Sequence, residues 1–342
     1  DYHRWTPFHP EALKLLLDEL VTGAGVEVLF FTRLVDVLSE ANQVNFVVLH
    51  NIGGIQAYRA RAFIDCTGDA ELAFRAGAKT VTNPHFMPGT LCSLHTGVDW
   101  DRFDKGRERS QIFKAVADGF FSQPDRHVPG LSRSHHHLAY LNAGHLFGHD
   151  ALDPRQLSAA MIRGRRLIQE YVAFYRKYMP GCENMHVAVT AALLGVRETR
   201  RIVGEYTLCF DDYAARRQFP DQIGVFNKFV DIHVRDCSDA EYERFLKEKD
   251  DIGRLQPGEC FGIPYRILVP RGWRNLWVAG RCNSSDERVH GSIRVMPAAS
   301  MMGQAAGTAA WLAIRQGRPA FDIDIPALIA ELRRQGAYLP QS

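Results

Sequence analysis

The stretch NLWVAGRCNSSDERVHGSIRVMPAASMMGQAAGTAA, Asn275 to Ala310, decides the fold. It opens on a short apolar run, Leu276-Trp277-Val278-Ala279, stopped by Gly280. An apolar run without alternation, ended by glycine, predicts a strand covered on both faces, as in a parallel sheet. A polar loop, Arg281 to Arg294, follows. From Pro297 to about Ile314 a charge-free stretch rich in Ala and Met predicts a helix. Proline suits its first turn, where the missing N–H has no intrahelical partner anyway. Gly303 and Gly307 flatten one face, which predicts a close neighbour there. A strand, a loop and a helix whose N-terminus turns back toward the strand end form a ligand-binding arrangement, because free N–H groups and the positive end of the helix dipole gather there.

Two plainer readings compete. A chargeless run of this length has the reach of a membrane span, but Ala, Gly, Ser, Thr, Gln and Pro dominate it and bulky apolar residues are few, which argues against a span. The other is a buried core helix without a ligand. The loop tips the balance, because it sets Arg281, Asp286, Glu287, Arg288, His290 and Arg294 beside a very apolar helix. Charges held against a core need partners or a ligand.

The 342 residues suggest about two domains. A net charge of +2 is too balanced for the electrostatic footprint of a nucleic-acid binder. Seven cysteines are widely spaced, with no C-x-x-C pair, which argues against a disulfide framework and against a locally built zinc or iron–sulfur site. A reducing, cytoplasmic setting follows.

Along the chain, Pro7 to Leu20 predicts a helix with Leu13, Leu16, Leu17 and Leu20 on one face. Strands are expected at Val26–Phe31, Leu34–Leu38, Val44–His50, Ile55–Ala60 and Ala62–Asp65. The last runs into Cys66-Thr67-Gly68-Asp69 and a helix from Ala70 to Ala76. A strand that ends in Thr-Gly-Asp before a helix places a ligand at a switch from sheet to helix. From about Val81 the character changes to proline, histidine and aromatic residues. Strands are expected at Leu91–Val98 and His135–Leu141, and a long amphipathic helix at Leu157–Met179. The expected organisation is α/β: a partial three-layer domain in 1–84 and 271–342, interrupted by an inserted α+β domain in 85–270 that covers a substrate.

Six blocks carry a family resemblance: IDCTGDAELAFRAGA (Ile64–Ala78), GVRETRRIVGEYTL (Gly195–Leu208), FPDQIG (Phe219–Gly224), DIH (Asp231–His233), FGIPYRILVPRGWRNLWVAGRC (Phe261–Cys282) and HGSIRVMPAASMMGQAAGTAA (His290–Ala310). Together and in this order they resemble the FAD-dependent oxidoreductase family, related to the succinate dehydrogenase and heterodisulfide reductase A-type flavoproteins. The resemblance implies a Rossmann-like FAD-binding fold and FAD as cofactor. It puts Thr67, Gly68 and Asp69 near the diphosphate or ribose. It puts Leu34, in TRLVDV, on the strand whose backbone contacts the adenine, and Gly280 and Arg281 along the ribityl chain. It turns the N-terminus of the helix at Met296, Pro297 and Gly303 toward the flavin N1 and O2 edge. One departure is large. The family opens with a G-x-G-x-x-G turn that cradles the diphosphate, and this chain has none. The chain is therefore expected to be N-terminally truncated, lacking on the order of one hundred residues of a βαβ unit.

The candidate reaction residues are His290 and Arg294 before the helix, Arg197 in Arg197-Glu198-Thr199-Arg200-Arg201, and His233 in Asp231-Ile232-His233. Imidazole titrates near neutrality and suits proton transfer, and guanidinium binds carboxylates bidentately. Each has a structural counterpart: an ion pair for the arginines, a buried hydrogen-bonded ring for the histidines. His135-His136-His137, with His145 and His149, lack an acidic or cysteine partner at ligand spacing, so no metal is expected. The leading expectation is hydride transfer between a small-molecule substrate and flavin N5. The alternatives are a non-catalytic remnant or subunit that pairs with another polypeptide, and a heterodisulfide-reductase-like electron carrier. Neither nucleic acid nor membrane is an expected partner, whereas a homo-oligomer or partner subunit is.

Overall fold

The computed structural model describes residues 8–340 except 136 and 253. At its centre the strands Phe63–Asp65 and Leu276–Val278 pair in parallel, Leu276 beside Phe63 and Val278 beside Asp65. Their side chains divide with the two-residue period of a strand. Phe63, Leu276 and Val278 join one core, with Val37, Val44 and Val47. Trp277 joins another, with Ala298, Met302, Ala305 and Ala309. Burial on both faces is the physical reason for the unbroken apolar run.

One face is covered by an antiparallel meander, Arg33–Glu40, Gln43–Asn51 and Gly54–Arg59. The helix Glu71–Ala76 completes that layer, burying Ala73 and Ala76 in the same core. Asn275 ties the meander to the central pair: its side-chain carbonyl accepts from Val44 N–H at 2.9 Å and its amide donates to Val44 O at 2.8 Å. The other face is covered by the helix Met296–Gln316, with Pro297 in its first turn and Gly317 at φ +67° closing it. Trp277 Nε1 donates to Tyr265 Oη at 2.7 Å, which donates to Ala320 O at 2.7 Å.

A second region holds the antiparallel sheet His186–Thr190, Ser93–Thr96, Leu138–Asn142 and Gly130–His135, in that spatial order. The helices Lys105–Ala117 and Pro154–Tyr178 pack beside it. The latter starts at Asp153, whose carboxylate accepts from Arg155 and Gln156 N–H. It buries Ala160, Gly164, Leu167, Ile168, Tyr171 and Tyr175 at helical spacing. A Cβ on Gly164 would lie 2.8 Å from Leu91 Cβ.

The fold is mixed α/β, and several expectations are corrected. The parallel sheet has two strands among the described residues. Residues 26–31 form no strand; no neighbour offers them a ladder, and Phe30 and Phe31 are 68% and 97% exposed. The first helix runs Pro10–Gly23 and buries none of its residues; Pro7 lies outside the described residues. The span His135–Leu141 is not one strand: Leu138–Leu141 belongs to the strand Leu138–Asn142, while His135 ends the preceding strand Gly130–His135. Part of the Arg281–Arg294 loop is a helix, Glu287–Ile293, because Asp286 caps it by accepting from Val289 N–H at 2.8 Å. Gly303 and Gly307 have no close neighbour, since a Cβ on either would meet nothing within 4 Å. The helices Asp239–Ile252 and Ile325–Arg334 are additional to those expected. No helix among the described residues is long and apolar enough to cross a membrane.

Candidate active site

The site is built where the two parallel strands end. Asp65, 1% exposed, closes the turn after the first. Its carboxylate accepts from Thr67 N–H at 2.9 Å, Thr67 Oγ1 at 2.7 Å and Ala73 N–H at 3.0 Å. The chain then passes Gly68 at φ +78°, where a Cβ would stand 2.7 Å from the Arg281 guanidinium, so only glycine fits without displacement. The second strand ends at Gly280, φ +87°. Arg281 Nη2 donates to Asp69 Oδ1 at 2.7 Å, and Thr199 Oγ1 donates to the same oxygen at 2.7 Å. This ion pair joins the two strand-end loops.

Between them lies a cleft of about 410 Å³. Its floor is Cys66, Thr67 and Gly68 with Gly280 and Arg281. Ala299, in the first turn of the helix Met296–Gln316, forms one wall, Thr90, Cys92 and Asn142 bring in the second region, and Arg197 and Arg294 complete the lining. Val295, the residue before that helix, offers no side-chain cap. The positive end of the dipole therefore meets the cleft without a protein acceptor.

Two guanidinium groups converge here. Arg197 donates through Nη1 to Pro88 O; burial, with Arg294 beside it, pushes it down to about 10. Arg294, its side chain 12% exposed, caps the C-terminus of the helix Glu287–Ile293. Its Nη2 lies 2.9 Å from Asp231 Oδ2 and 3.3 Å from His233 Nε2, and its Nε is buried without a partner. Burial alone would raise Asp231, but His233, Lys228 and Arg294 hold it far below the usual carboxylate range. Burial pushes Lys228, beside Asp231, down to about 8. The cleft thus faces two arginines, of which Arg294 pairs with Asp231 and Arg197 donates to a backbone carbonyl, a surplus of positive charge that suits an anionic ligand.

A family model described as FAD dependent oxidoreductase matches residues 1–333. The chain belongs to the FAD-dependent oxidoreductase family. The family is described by its FAD cofactor and its oxidoreductase chemistry. No curated protein matches the chain. Solved structures that match the chain include a geranylgeranyl bacteriochlorophyll reductase-like protein from Thermoplasma acidophilum, at 14% identity and TM-score 0.45, covering 95% of this chain and 58% of its own. The myxobacterial chondrochloren halogenase stands at 11% and 0.41, with 97% and 56% covered. L-proline dehydrogenase from P. horikoshii stands at 13% and 0.37, with 96% and 61% covered. The chain spans under two thirds of the length of each.

The residues present fit the flavin this family takes. Gly68 and Gly280 add no side chain of their own to the floor, Arg281 Nε is buried without a partner, and the helix N-terminus is uncapped. Among the residues expected from sequence, Thr67, Gly68, Gly280, Arg281, Arg197 and Arg294 meet at this cleft. Asp69 flanks it through Arg281. Met296, 57% exposed, and Pro297 begin the helix beside it. Gly303 is two turns further on, and Leu34 packs in the meander core; neither lines the cleft.

His290 is not in a loop but fully buried on the helix Glu287–Ile293. It stands 3.2 Å from Arg197 O and reaches the cleft only through that residue. Burial, then Arg201 and Arg294, holds it well below the ordinary histidine value. His233 stands behind Arg294 and lines a neighbouring pocket with Pro88.

Sequence reading missed Thr90, Cys92 and Asn142, which arrive from distant segments of chain, and Asp125, which no motif marks. The histidines also regroup. His136 and the His135 side chain lie outside the described residues. His145 joins His127 and His233, with ligand atoms within 4.8 Å of one another, a set of the kind that can hold a metal.

Proposed function

We propose that the cleft oxidises or reduces a small organic molecule bearing a carboxylate, by hydride exchange with flavin N5. The reading rests on Arg197 and Arg294 converging beside an uncapped helix N-terminus at the end of the parallel pair. In it, residues 1–84 and 271–342 hold the cofactor, and 85–270 cover the substrate. Thr67, Gly68 and Asp69 lie along the phosphate or ribose side, the Leu34 strand toward the adenine, and Gly280, Arg281, Met296 and Pro297 along the flavin. The bound flavin supplies the hydride acceptor or donor. The chain's residues do the rest: Arg197 and Arg294 bind and orient the carboxylate, and a helix dipole at the cleft favours negative charge by about 0.3–1 kcal/mol, more when buried.

The test is flavin content and substrate-driven bleaching of the protein expressed from its complete reading frame. The reading expects a yellow protein that small hydroxy or unsaturated carboxylic acids oxidise or reduce, with Arg294→Gln slowing that step by about 10²–10³-fold. A preparation that stays colourless after incubation with FAD sinks it.

A second reading, a subunit that shares its flavin site with another polypeptide, is supported by the uncovered apolar edge of Leu15, Leu16, Leu20, Phe30 and Phe31. Sedimentation of the chain alone and with its co-purified partners separates the two.

A further inference from the structure

Behind the cleft, four side chains form an unbroken hydrogen-bonded line. Asp125 Oδ2 lies 2.8 Å from His145 Nδ1, His145 Nε2 lies 3.0 Å from His233 Nδ1, and His233 Nε2 lies 3.3 Å from Arg294 Nη2. Asp125 is 1%, His145 2% and His233 8% exposed.

The two ends fix every proton between them. Two groups face His233 Nε2: Arg294 Nη2, which only donates, at 3.3 Å, and Asp231 Oδ2, which only accepts, at 3.6 Å; at the shorter contact Nε2 accepts, and the ring proton sits on Nδ1. That N–H donates to His145 Nε2, which leaves the proton of His145 on Nδ1, facing the acceptor-only carboxylate of Asp125. Starting from Asp125 gives the same order. A proton added to either ring sets two N–H groups face to face, at the His145–His233 contact or against Arg294.

We propose that Asp125, His145 and His233 are a positioning relay for Arg294. Their order presents a bare nitrogen to Nη2, whose two hydrogens are then divided between His233 and Asp231. The guanidinium is held in one pose, with the unpartnered Nε left for the ligand of the cleft. The role at the ligand rests on the carboxylate reading above; the relay itself does not.

The same cluster offers a competing use. His127 packs 5.3 Å from His145 and 5.0 Å from His233, ring centre to ring centre, and its Nδ1 is buried without a partner. Three imidazoles suit a divalent cation. The relay is favoured because the two nitrogens a metal would bridge already share one proton, and Arg294 holds the far nitrogen of His233 in the acceptor role.

Asp125→Asn provides a sharp test. Asp125 Oδ1 accepts from His127 N–H at 2.9 Å and Oδ2 from the backbone N–H of His145 at a longer 3.4 Å, so the amide oxygen of the variant that keeps the shorter bond turns its NH2 toward His145. The tautomers along the line must then invert, ending with a His233 N–H against Arg294.

Heteronuclear NMR with isotope-labelled histidine and arginine reads this without flavin or substrate. The expected wild-type result is His233 protonated on Nδ1 alone. In Asp125→Asn, His233 is expected to carry its proton on Nε2, and the Arg294 Nε–H signal, assigned by its loss in Arg294→Lys, is expected to shift. Malonate, the carboxylate probe, should bind at least tenfold more weakly to Asp125→Asn than to wild type.

Wild-type His233 protonated on Nε2, an Arg294 signal that does not move in Asp125→Asn, or stoichiometric Zn²⁺ shifting all three histidines would overturn the relay. Should Asp125→Asn not fold, the wild-type tautomer decides. Wild type that shows the tautomer but ignores malonate supports the relay and counts against the carboxylate reading alone.

Discussion

The first helix, Pro10–Gly23, and the long helix Met296–Gln316 start alike, each with proline in its opening turn and an apolar face at helical spacing. They end differently. The long helix buries Ala298, Met302, Ala305, Ala306 and Ala309 against Trp277 and its neighbours. The first buries nothing, and Leu15, Leu16, Leu17 and Leu20 stand 49–60% exposed. Periodicity tells that a face exists; only a partner tells whether it contributes stability.

The largest test of this contrast is a pair of truncations. Trp277→Ala removes a side chain at the join between the central strand and the long helix. The Tyr265 hydroxyl loses its Trp277 donor but still donates to Ala320 O, and the truncation should cost about 3–5 kcal/mol in urea unfolding. Leu17→Ala should stay within about 0.5 kcal/mol. Equal costs would break the comparison.

Acid offers a second test. Burial pushes His95 and His127 from 6.5 down to about 4 in the folded chain. The unfolded chain therefore binds more protons between those values, and stability falls as pH drops from 6.5 toward 4, by about 1.4 kcal/mol per unit for each fully shifted ring. Both rings belong to the packed interior, so Leu17→Ala should leave this slope unchanged.

Asp65→Ala comes next. It strands Thr67 N–H and the buried Ala73 N–H and should cost about 1–3 kcal/mol, read by thermal unfolding at neutral pH. The smallest effect expected in the cleft half is Gly68→Ala. The positive φ and the contact with Arg281 put it at about 1–2 kcal/mol, with loss of the Asp69–Arg281 pair in a crystal structure of the variant.

The sequence was legible where one short segment carries the whole constraint. A strand buried on both faces must be apolar throughout, so Leu276–Val278 stood out, and the loops after it and after Asp65 carry their cleft residues with them. Legibility failed where the constraint is shared between distant segments. The helix Asp239–Ile252 buries only Phe245, so its run of mixed charges carries almost no apolar period. Thr90 and Asn142 reach the cleft from two different antiparallel sheets, and Cys92 from the link after Thr90, through pairings that no local pattern announces. His145 and His233 are 88 positions apart, and nothing in the spacing of either marks the other. Residues 26–31 failed in the opposite sense: their composition suits a strand, but a strand exists only with a neighbour to bond.

The tie between Val44 and Asn275 spans 231 positions of chain. While the ribosome is still working through the intervening segment, the meander has no central pair to rest on, and its inner valines face water. Only when Leu276–Val278 emerges can the layers close. Long-range closure of this kind is slow and leaves sticky surface open in the meantime. A stalled or shortened product ending before Asn275 should therefore go to chaperones and proteases as an open half rather than persist as a smaller folded protein.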